Sequence, residues 1–154
     1  MFKIIMSFKY ALEGLWHCVV HERNFRIHVV AAITLSCIFP FYNFESVEFA
    51  ILIFAIFIVL IAEMFNTTAE RVTDLATKEI SGIAKQAKDV AAGAVLMSTV
   101  CAGFIAYTLL WKIDVLTNIW GVISATPLSL ILTSIYIIVC LAFILFFKKE
   151  RPGK

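Results

Sequence analysis

The segment from Glu63 to Asp74 places carboxylate and amide side chains directly after a long apolar run. The fourteen residues from Phe49 to Ala62 contain no polar side chain. If the helix of this run continues, polar residues fall at positions i, i+3, i+4, i+7 and i+11, which share one helix face. These residues are Glu63, Asn66, Thr67, Glu70 and Asp74. Three carboxylates on one face repel one another and lose hydration near a bilayer, so a cation must offset their charge.

Side chains that suit such a cation and a phosphate lie at two other places in the chain. Oxygen ligands from carboxylates, with few nitrogen or sulfur ligands, favour a hard ion such as Mg²⁺. Lys85 and Lys88 share a helix face before the third apolar stretch, and Asp89 follows them. A lysine beside a carboxylate-bound Mg²⁺ can hold a polyphosphate. Glu22, at the start of the first apolar stretch, is a further source of a carboxylate.

A simpler interpretation is that this helix leaves the membrane and that water solvates its polar face. For Asp74 the two interpretations stay open. Glu63 adjoins the fourteen apolar residues, and ionisable groups at that depth are usually functional. For Lys78 the better interpretation is an ordinary basic residue on the cytoplasmic side, and for Lys85 this alternative stays open.

The sequence gives little support to several other kinds of site. It has no GxxxxGK[ST] and no GxGxxG motif, which excludes a P-loop or protein-kinase fold. His17 and His21 at i, i+4 lack further ligands, so a zinc site is not predicted. The four cysteines show no paired spacing, and no disulfide framework is expected. The net charge of +2 gives no electrostatic support for nucleic-acid binding.

The composition is that of an integral membrane protein. Of the 154 residues, 62% are hydrophobic and only 16% are charged, whereas soluble domains are about a quarter charged. Residues 2–22 have an amphipathic pattern that predicts a helix on the membrane surface. Four apolar stretches follow, and we expect each of them to span the bilayer. They cover about 25–42, 47 to beyond 62, about 90–111, and 127–147.

The basic residues predict the orientation of these spans. If all four stretches cross the bilayer, twelve of the thirteen Lys and Arg residues fall on one side and only Lys112 on the other. Because basic residues concentrate in cytoplasmic loops, both termini and the polar face are expected in the cytoplasm. Residues 112–154 would then comprise an outer loop, an extra transmembrane helix that starts at Thr126–Pro127, and a basic cytoplasmic tail.

The predicted fold is all-α: a polytopic membrane helical bundle with an N-terminal amphipathic surface helix, three core transmembrane helices and a fourth, C-terminal one. Small residues recur at every fourth position along the third span, a pattern that lets helices approach closely in lipid. They are Ala94, Ser98, Ala102 and Ala106. The pattern fits a tight bundle within one chain and a homo-oligomer interface equally well.

Three segments resemble the signature segments of the bacterial integral-membrane diacylglycerol kinase and undecaprenol kinase family. They are ERNFRIH (Glu22–His28), EMFNTTAERVTDL (Glu63–Leu75) and AKQAKDVAAGAVL (Ala84–Leu96). The pattern E-x-x-N-[ST]-x-x-E with a downstream A-K-D-x-x-x-x-A-V-L is specific, and all three segments occur in the family's order. The resemblance extends from about residue 7 to about residue 111, and the fourth span lies outside it.

The resemblance implies that residues 1–111 form the core of a small lipid kinase, a homotrimer with active sites at subunit contacts. It implies Mg²⁺ as cofactor and ATP as phosphoryl donor, bound without a P-loop. By motif position, Glu63 is expected to be the general base that takes the proton of the lipid hydroxyl. The same comparison makes Glu22 and Glu70 the expected magnesium ligands, and Asn66, Lys88 and Asp89 the expected nucleotide and phosphate contacts.

The resemblance leaves two lipid alcohols as candidate substrates. The segments ERNFRIH and AKDVAAGAVL are more similar in sequence to those of the undecaprenol kinase branch than to those of the diacylglycerol branch. The first branch makes undecaprenyl phosphate and the second makes phosphatidic acid. A hypothesis from a different class is a small transport or ion-conducting protein, which would need polar residues through the full depth of a span. The acidic residues instead cluster at one end of the second span, which favours a reaction at the membrane surface in the bacterial inner membrane.

Overall fold

The computed structural model describes residues 2–76 and 82–147, and within them it consists of helices joined by short turns. The helices are α1 (Phe2–His21), α2 (Arg23–Ile38), a 3₁₀ turn (Phe39–Phe41), α3 (Ser46–Ala76), α4 (Gly82–Leu110), α5 (Ile113–Ser124) and α6 (Pro127–Phe146). Four of them, α2 with the 3₁₀ turn, α3, α4 and α6, are long and apolar enough to cross a membrane. The predicted all-α polytopic bundle is therefore confirmed. Lys78 and the basic tail from Lys148 lie outside the described residues.

The centre of the molecule is an antiparallel hairpin of α3 and α4. The two helices contain 31 and 29 residues, so each is longer than the roughly 20 residues that cross a hydrocarbon core. Both therefore extend beyond the apolar layer at the end that carries the polar face. The start of α4 at Gly82 is eight residues earlier than the predicted span start near Val90. This extension is polar but is rich in alanine, lysine and glutamine, which are good helix formers.

The opposite end of the hairpin is closed by apolar packing, and we call it the apolar end. Its buried cluster consists of Tyr42, Leu52 and Leu110. The Tyr42 hydroxyl donates a hydrogen bond of 2.6 Å to the carbonyl oxygen of Leu110. That carbonyl is among the last of α4, which have no partner within the helix itself. Burial raises the pKa of Tyr42, with a smaller contribution from the nearby charge of Asp114.

The connection predicted as an outer loop, residues 112–126, is largely helical. Helix α5 covers Ile113–Ser124 and packs Val115 and Ile119 against the Tyr42 cluster. These two residues are four apart, so they share a face of one helix. Helix α6 begins where the sequence predicts: Thr126 is the N-cap, its hydroxyl accepts from the backbone N–H of Ser129, and Pro127 occupies the first helical position.

Helix α6 packs against α2, and both its midpoint and its end are attached by polar contacts. The hydroxyls of Thr34 and Tyr136 lie 2.7 Å apart. Arg26 is buried and donates to the carbonyls of Val19 and Ile144 at 3.1 to 3.3 Å. These carbonyls belong to the last turns of α1 and α6, where a cation and extra donors are favourable. The end of α6 thus lies beside the α1–α2 junction, as an even number of spans requires.

Helix α1 contacts the bundle only near its C-terminus in the described structure. Cys18 and Val20 are buried there, whereas Phe8, Leu12 and Trp16 are between 62 and 69% exposed. An apolar stripe exposed along a helix is typical of one that lies in the membrane interface, as the sequence predicts. Burial, followed by the charge of Glu22, raises the pKa of the Cys18 thiol, which keeps it protonated and unreactive.

Candidate active site

The polar residues of α3 share one helix face, but in the structure they lie in two different environments. Glu63, Asn66 and Thr67 are buried, with only 3 to 9% of their surface exposed. Glu70 and Asp74, one and two turns further on, are exposed. We call this end of the hairpin, together with the adjoining α1–α2 junction, the polar end. The depth of burial separates a carboxylate suited to proton transfer from carboxylates that water and solutes can reach.

Glu63 is held by a histidine that α2 supplies. The Nε2 atom of His28 lies 3.4 Å from Oε1 of Glu63, and the glutamate side chain is only 4% exposed. A buried carboxylate without a partner would be strongly destabilising, so a nearby imidazole is the kind of neighbour this position needs. The contact restricts the rotamers of Glu63, and both side chains line the space between α2 and α4.

Asn66 joins the buried and the exposed parts of the stripe. Its Nδ2 donates to Oε1 of Glu70 at 3.1 Å, which fixes both side chains one turn apart. Its Oδ1 is buried and has no hydrogen-bond partner among the described residues. Buried acceptors are nearly always satisfied in folded proteins, so an unpaired one at a polar site is open to a ligand donor or a cation.

Glu22 reaches α3 from the junction of α1 and α2. Its Oε1 lies 3.6 Å from Nη2 of Arg71, and the glutamate side chain is 19% exposed. Since Arg71 follows Glu70 directly in the chain, the ion pair brings Glu22 to the turn of α3 that carries Glu70. The structure therefore connects the sequence-distant Glu22 to the polar face through Arg71, which the sequence counts only among the basic residues of the cytoplasmic side.

Lys88 is brought to the same face of α3, one turn beyond Glu70. Its Nζ lies 2.5 Å from Oδ1 of Asp74. The Asp74 side chain is 65% exposed, so both interpretations of this residue stay open. Asp89, the next residue, is exposed.

The donor atoms at this end suit magnesium, although they are spread along α3. Among the described residues, no three His, Cys, Asp or Glu side chains form a group that could hold a metal ion. Mg²⁺ needs no such group, because it commonly binds through one or two carboxylates, with waters and substrate phosphates completing its shell. Glu22 and Glu70, with the unpaired amide oxygen of Asn66, are the oxygen donors that fit it.

A cleft of about 270 Å³ opens beside Glu63, between α2 and α4. Its polar lining comprises Asn24, His28, Glu63 and Thr99. No role at the site is predicted from the sequence for His28, Arg71 or Thr99. His28 carries one usable signal, an ionisable side chain inside an apolar stretch, whereas Thr99 and Arg71 carry none without knowledge of how the helices pack.

Comparison with known proteins places this arrangement in a family. The sequence model of prokaryotic diacylglycerol kinase matches residues 9–110, which include every site residue described above and exclude α5 and α6. A diacylglycerol kinase of Synechocystis is 34% identical over 108 residues, which are 70% of this chain and 62% of that relative. The chain thus covers less than two thirds of the length of this relative.

Relatives that act on different lipids are about equally similar to the chain. An undecaprenol kinase of Bacillus subtilis is 34% identical over 64% of this chain and 80% of the relative. A diacylglycerol kinase of Escherichia coli K12 is 28% identical over 71% of this chain and 90% of the relative. The relatives differ in the lipid for which they are named but share the reaction class. The chain therefore belongs to the prokaryotic diacylglycerol kinase family, a family of lipid kinases.

Proposed function

We propose that this protein uses Mg²⁺ and ATP to phosphorylate the hydroxyl group of a membrane lipid, with Glu63 as the general base. The observation that carries the proposal is the burial of Glu63 at the end of the apolar stretch of α3, where it contacts His28 and lines a cleft. A base in that position meets an alcohol anchored in the bilayer. The exposed part of the same helix face meets solutes from the water.

The spacing along α3 separates the two substrates by a suitable distance. Glu70 lies seven residues beyond Glu63, which is about 10 Å along a helix. Glu70 and Glu22 would hold Mg²⁺, which neutralises charge on the phosphates when bound. Asn66 lies between Glu63 and Glu70 on the same face and would contribute its unpaired amide oxygen. Lys88 and Asp89, at the exposed start of α4, would contact the nucleotide and its phosphates.

The chemical step needs little beyond positioning and charge neutralisation. Glu63 accepts the proton of the lipid hydroxyl while the lipid oxygen forms a bond to the γ-phosphorus of ATP. The bond between that phosphorus and the oxygen bridging to the β-phosphate breaks, and ADP leaves with the electron pair. The products are a lipid phosphate and ADP, and Glu63 later returns its proton to water.

Undecaprenol is the lipid we favour, and diacylglycerol is the alternative within the same reaction class. The support is the ERNFRIH segment, which is similar to that of the undecaprenol kinase branch, together with the Bacillus subtilis relative of that name. Diacylglycerol kinases of comparable similarity keep the alternative open to experiment.

We further propose that the protein acts as a homotrimer in the bacterial inner membrane, with both termini and the active site on the cytoplasmic side. The distribution of basic residues supports this orientation. Assembly is supported by α4, because none of the residues in its most apolar window is buried within the chain. A neighbouring copy that covers α4 would bring its own charged residues to the polar end.

The decisive experiment offers the purified protein radiolabelled ATP with undecaprenol, diacylglycerol or a simple long-chain alcohol, in parallel and with or without Mg²⁺. We expect label to enter undecaprenol most rapidly, only with Mg²⁺. The Glu63→Gln variant is the matched control because it keeps the size of the side chain. Preferential labelling of diacylglycerol would assign the protein to the diacylglycerol kinase branch. Failure to label any lipid would overturn the proposed function.

A further inference from the structure

The α3–α4 hairpin places Thr99 at the depth of Glu63. The contact between Asp74 and Lys88 sets the register of the two antiparallel helices. Glu63 lies eleven residues before Asp74, and Thr99 lies eleven residues after Lys88. Eleven residues are about three helical turns, so both side chains return to the facing sides of the hairpin at the same height. Both line the cleft beside α2.

The hydroxyl of Thr99 is buried and has no hydrogen-bond partner among the described residues. Hydroxyl side chains in helices ordinarily donate to a carbonyl three or four residues earlier. Ser98 and Thr108 on the same helix do so, to the carbonyls of Val95 and Ile105. Thr99 is therefore an exception on α4. In the described residues, the other buried polar side-chain atom without a partner is Oδ1 of Asn66, which also lies at the polar end.

A second cavity continues from Thr99 into the apolar layer. It has a volume of about 180 Å³, lies between α2, α3 and α4, and shares His28 and Thr99 with the cleft at Glu63. The rest of its lining is apolar and consists mainly of small or aliphatic residues, among them Ala31, Ala55, Gly103 and Ala106. The combined space follows α4 from Ala92 to Ala106, which is about 21 Å of helix.

We propose that Thr99 binds the hydroxyl of the lipid substrate and that the cavity beyond it takes the first part of a single hydrocarbon chain. This inference rests on the proposed function, since it assumes that Glu63 is the base. It makes the protein selective for alcohols with one chain. The volume of 180 Å³ equals about six water-sized groups, which is room for one slender chain and not for two.

The chemistry at Thr99 follows from the two acceptors and one donor on each hydroxyl. The threonine hydroxyl donates to the oxygen of the lipid alcohol, and the alcohol donates its proton to Glu63. These two contacts leave one lone pair of the alcohol oxygen free to form the bond to phosphorus. The occupant is a hydrocarbon chain because polar residues lie only where the cavity meets the cleft, and a lipid reaches that depth directly from the bilayer.

The first test compares Thr99→Val, which removes the hydroxyl and keeps the shape, with Thr99→Ser, which keeps the hydroxyl. We expect Thr99→Val to raise the KM for undecaprenol about tenfold, the loss of one hydrogen bond, with an unchanged KM for ATP. Thr99→Ser should retain wild-type values within about threefold. A lipid KM that is unchanged in Thr99→Val, while the wild type is active, overturns the inference and leaves the proposed function intact.

The second test fills the cavity from α4. A Cβ atom added at Gly103 meets no atom within 4 Å, and the same holds at Gly93, which does not line either space. Gly103→Leu is therefore the test and Gly93→Leu the matched control on the same helix. We expect Gly103→Leu to lower kcat/KM for undecaprenol about tenfold. A short isoprenoid alcohol, whose chain ends before Gly103, should be phosphorylated equally by both variants.

Two further results would overturn the inference on its own. One is an equal loss in Gly103→Leu and Gly93→Leu with a changed oligomer size, which would identify the space as an interface between copies. The other is a higher kcat/KM of the wild-type protein for diacylglycerol than for undecaprenol, which a cavity for one chain does not permit. A wild-type protein that labels no lipid would overturn the proposed function together with the inference.

Discussion

The two ends of the α3–α4 hairpin differ in whether their buried polar atoms have hydrogen-bond partners. At the apolar end, Tyr42 is buried with Leu52 and Leu110, and its hydroxyl is paired with a carbonyl at 2.6 Å. At the polar end, Glu63 is buried, and two buried atoms, Oδ1 of Asn66 and Oγ1 of Thr99, have no partner among the described residues. One end satisfies its polar groups, and the other leaves some of them unsatisfied.

The difference agrees with the proposed function, because a site that binds ligands gives up some stability. An unpaired buried polar group costs about 1–3 kcal/mol, so two of them are a substantial cost for a small bundle. Such groups persist where a ligand completes their hydrogen bonds, and active sites are the usual place. Within the described part of the chain, the apolar end has no unpaired buried side-chain atom, and it holds α3, α4 and α5 together. Substitutions at the two ends should therefore separate activity from stability.

The largest effect is expected at Glu63. Glu63→Gln keeps the size of the side chain but removes its capacity to accept the hydroxyl proton. Loss of a general base lowers turnover by about 10²–10⁴-fold, and we expect kcat to fall within this range. The measurement is transfer of labelled phosphate to lipid, with the oligomer size and melting temperature as controls for folding. Wild-type turnover by this variant would show that another group takes the proton.

A smaller effect is expected one turn beyond the buried region, at Glu70. Glu70→Gln removes a charged oxygen ligand but leaves an amide that can still meet Asn66. We expect the Mg²⁺ concentration for half-maximal activity to rise about tenfold or more, with little change in the KM for lipid. A titration of activity with Mg²⁺ at fixed ATP measures this. A shift in lipid KM alone would argue that Glu70 contacts the lipid and not the metal.

At the apolar end, we expect a substitution to lower stability and to leave activity unchanged. Tyr42→Phe removes one buried hydrogen bond and should cost about 1 kcal/mol of stability, with kcat unchanged. Because the folded protein raises the pKa of Tyr42, this stability is present below the unfolded pKa near 10 and is lost as pH rises through the higher folded value. Thermal melts of both proteins between neutral and strongly alkaline pH measure it. An advantage of the wild type that grows with pH contradicts the assignment.

The smallest effect is expected at the exposed margin of the polar end. Asp74 is 65% exposed in its pair with Lys88, and exposed ion pairs contribute at most about 1 kcal/mol. Asp74→Asn should lower the melting temperature only slightly, and the difference should vanish in high salt. A large, salt-independent loss would mean that Asp74 is covered in the working assembly, by a neighbouring copy or by bound nucleotide.

The helices were predictable because their signals are local. Apolar length identifies α3 and α6, and the threonine–proline pair identifies the start of α6 at Thr126. The sequence does not predict helix α5, because its apolar residues, Val115 and Ile119, follow a span and fit a connecting segment equally well. Their role becomes evident only where they pack on Tyr42. The early start of α4 was missed for a related reason, since polar residues can be helical beyond the bilayer.

Some features of the candidate site are likewise local to one helix, whereas others depend on packing between helices. That Glu63, Asn66 and Glu70 share a face follows from their spacing on one helix. Other features depend on how separate helices meet. They are the contact of His28 with Glu63, the contact of Arg71 with Glu22, and the position of Thr99 at the depth of Glu63. The basic tail and Lys78 lie outside the described residues, so the orientation they support stays a prediction.

The sequence alone determined which segments are helices in a membrane and which residues line one polar stripe, because both are consequences of the 3.6-residue helical repeat and of apolar length. The tertiary structure alone decided which part of that stripe is buried, which side chain contacts Glu63 and which hydroxyl lines the same cleft. Burial and pairing depend on the register and packing of helices that are far apart in the chain, and no periodicity within a single helix encodes them.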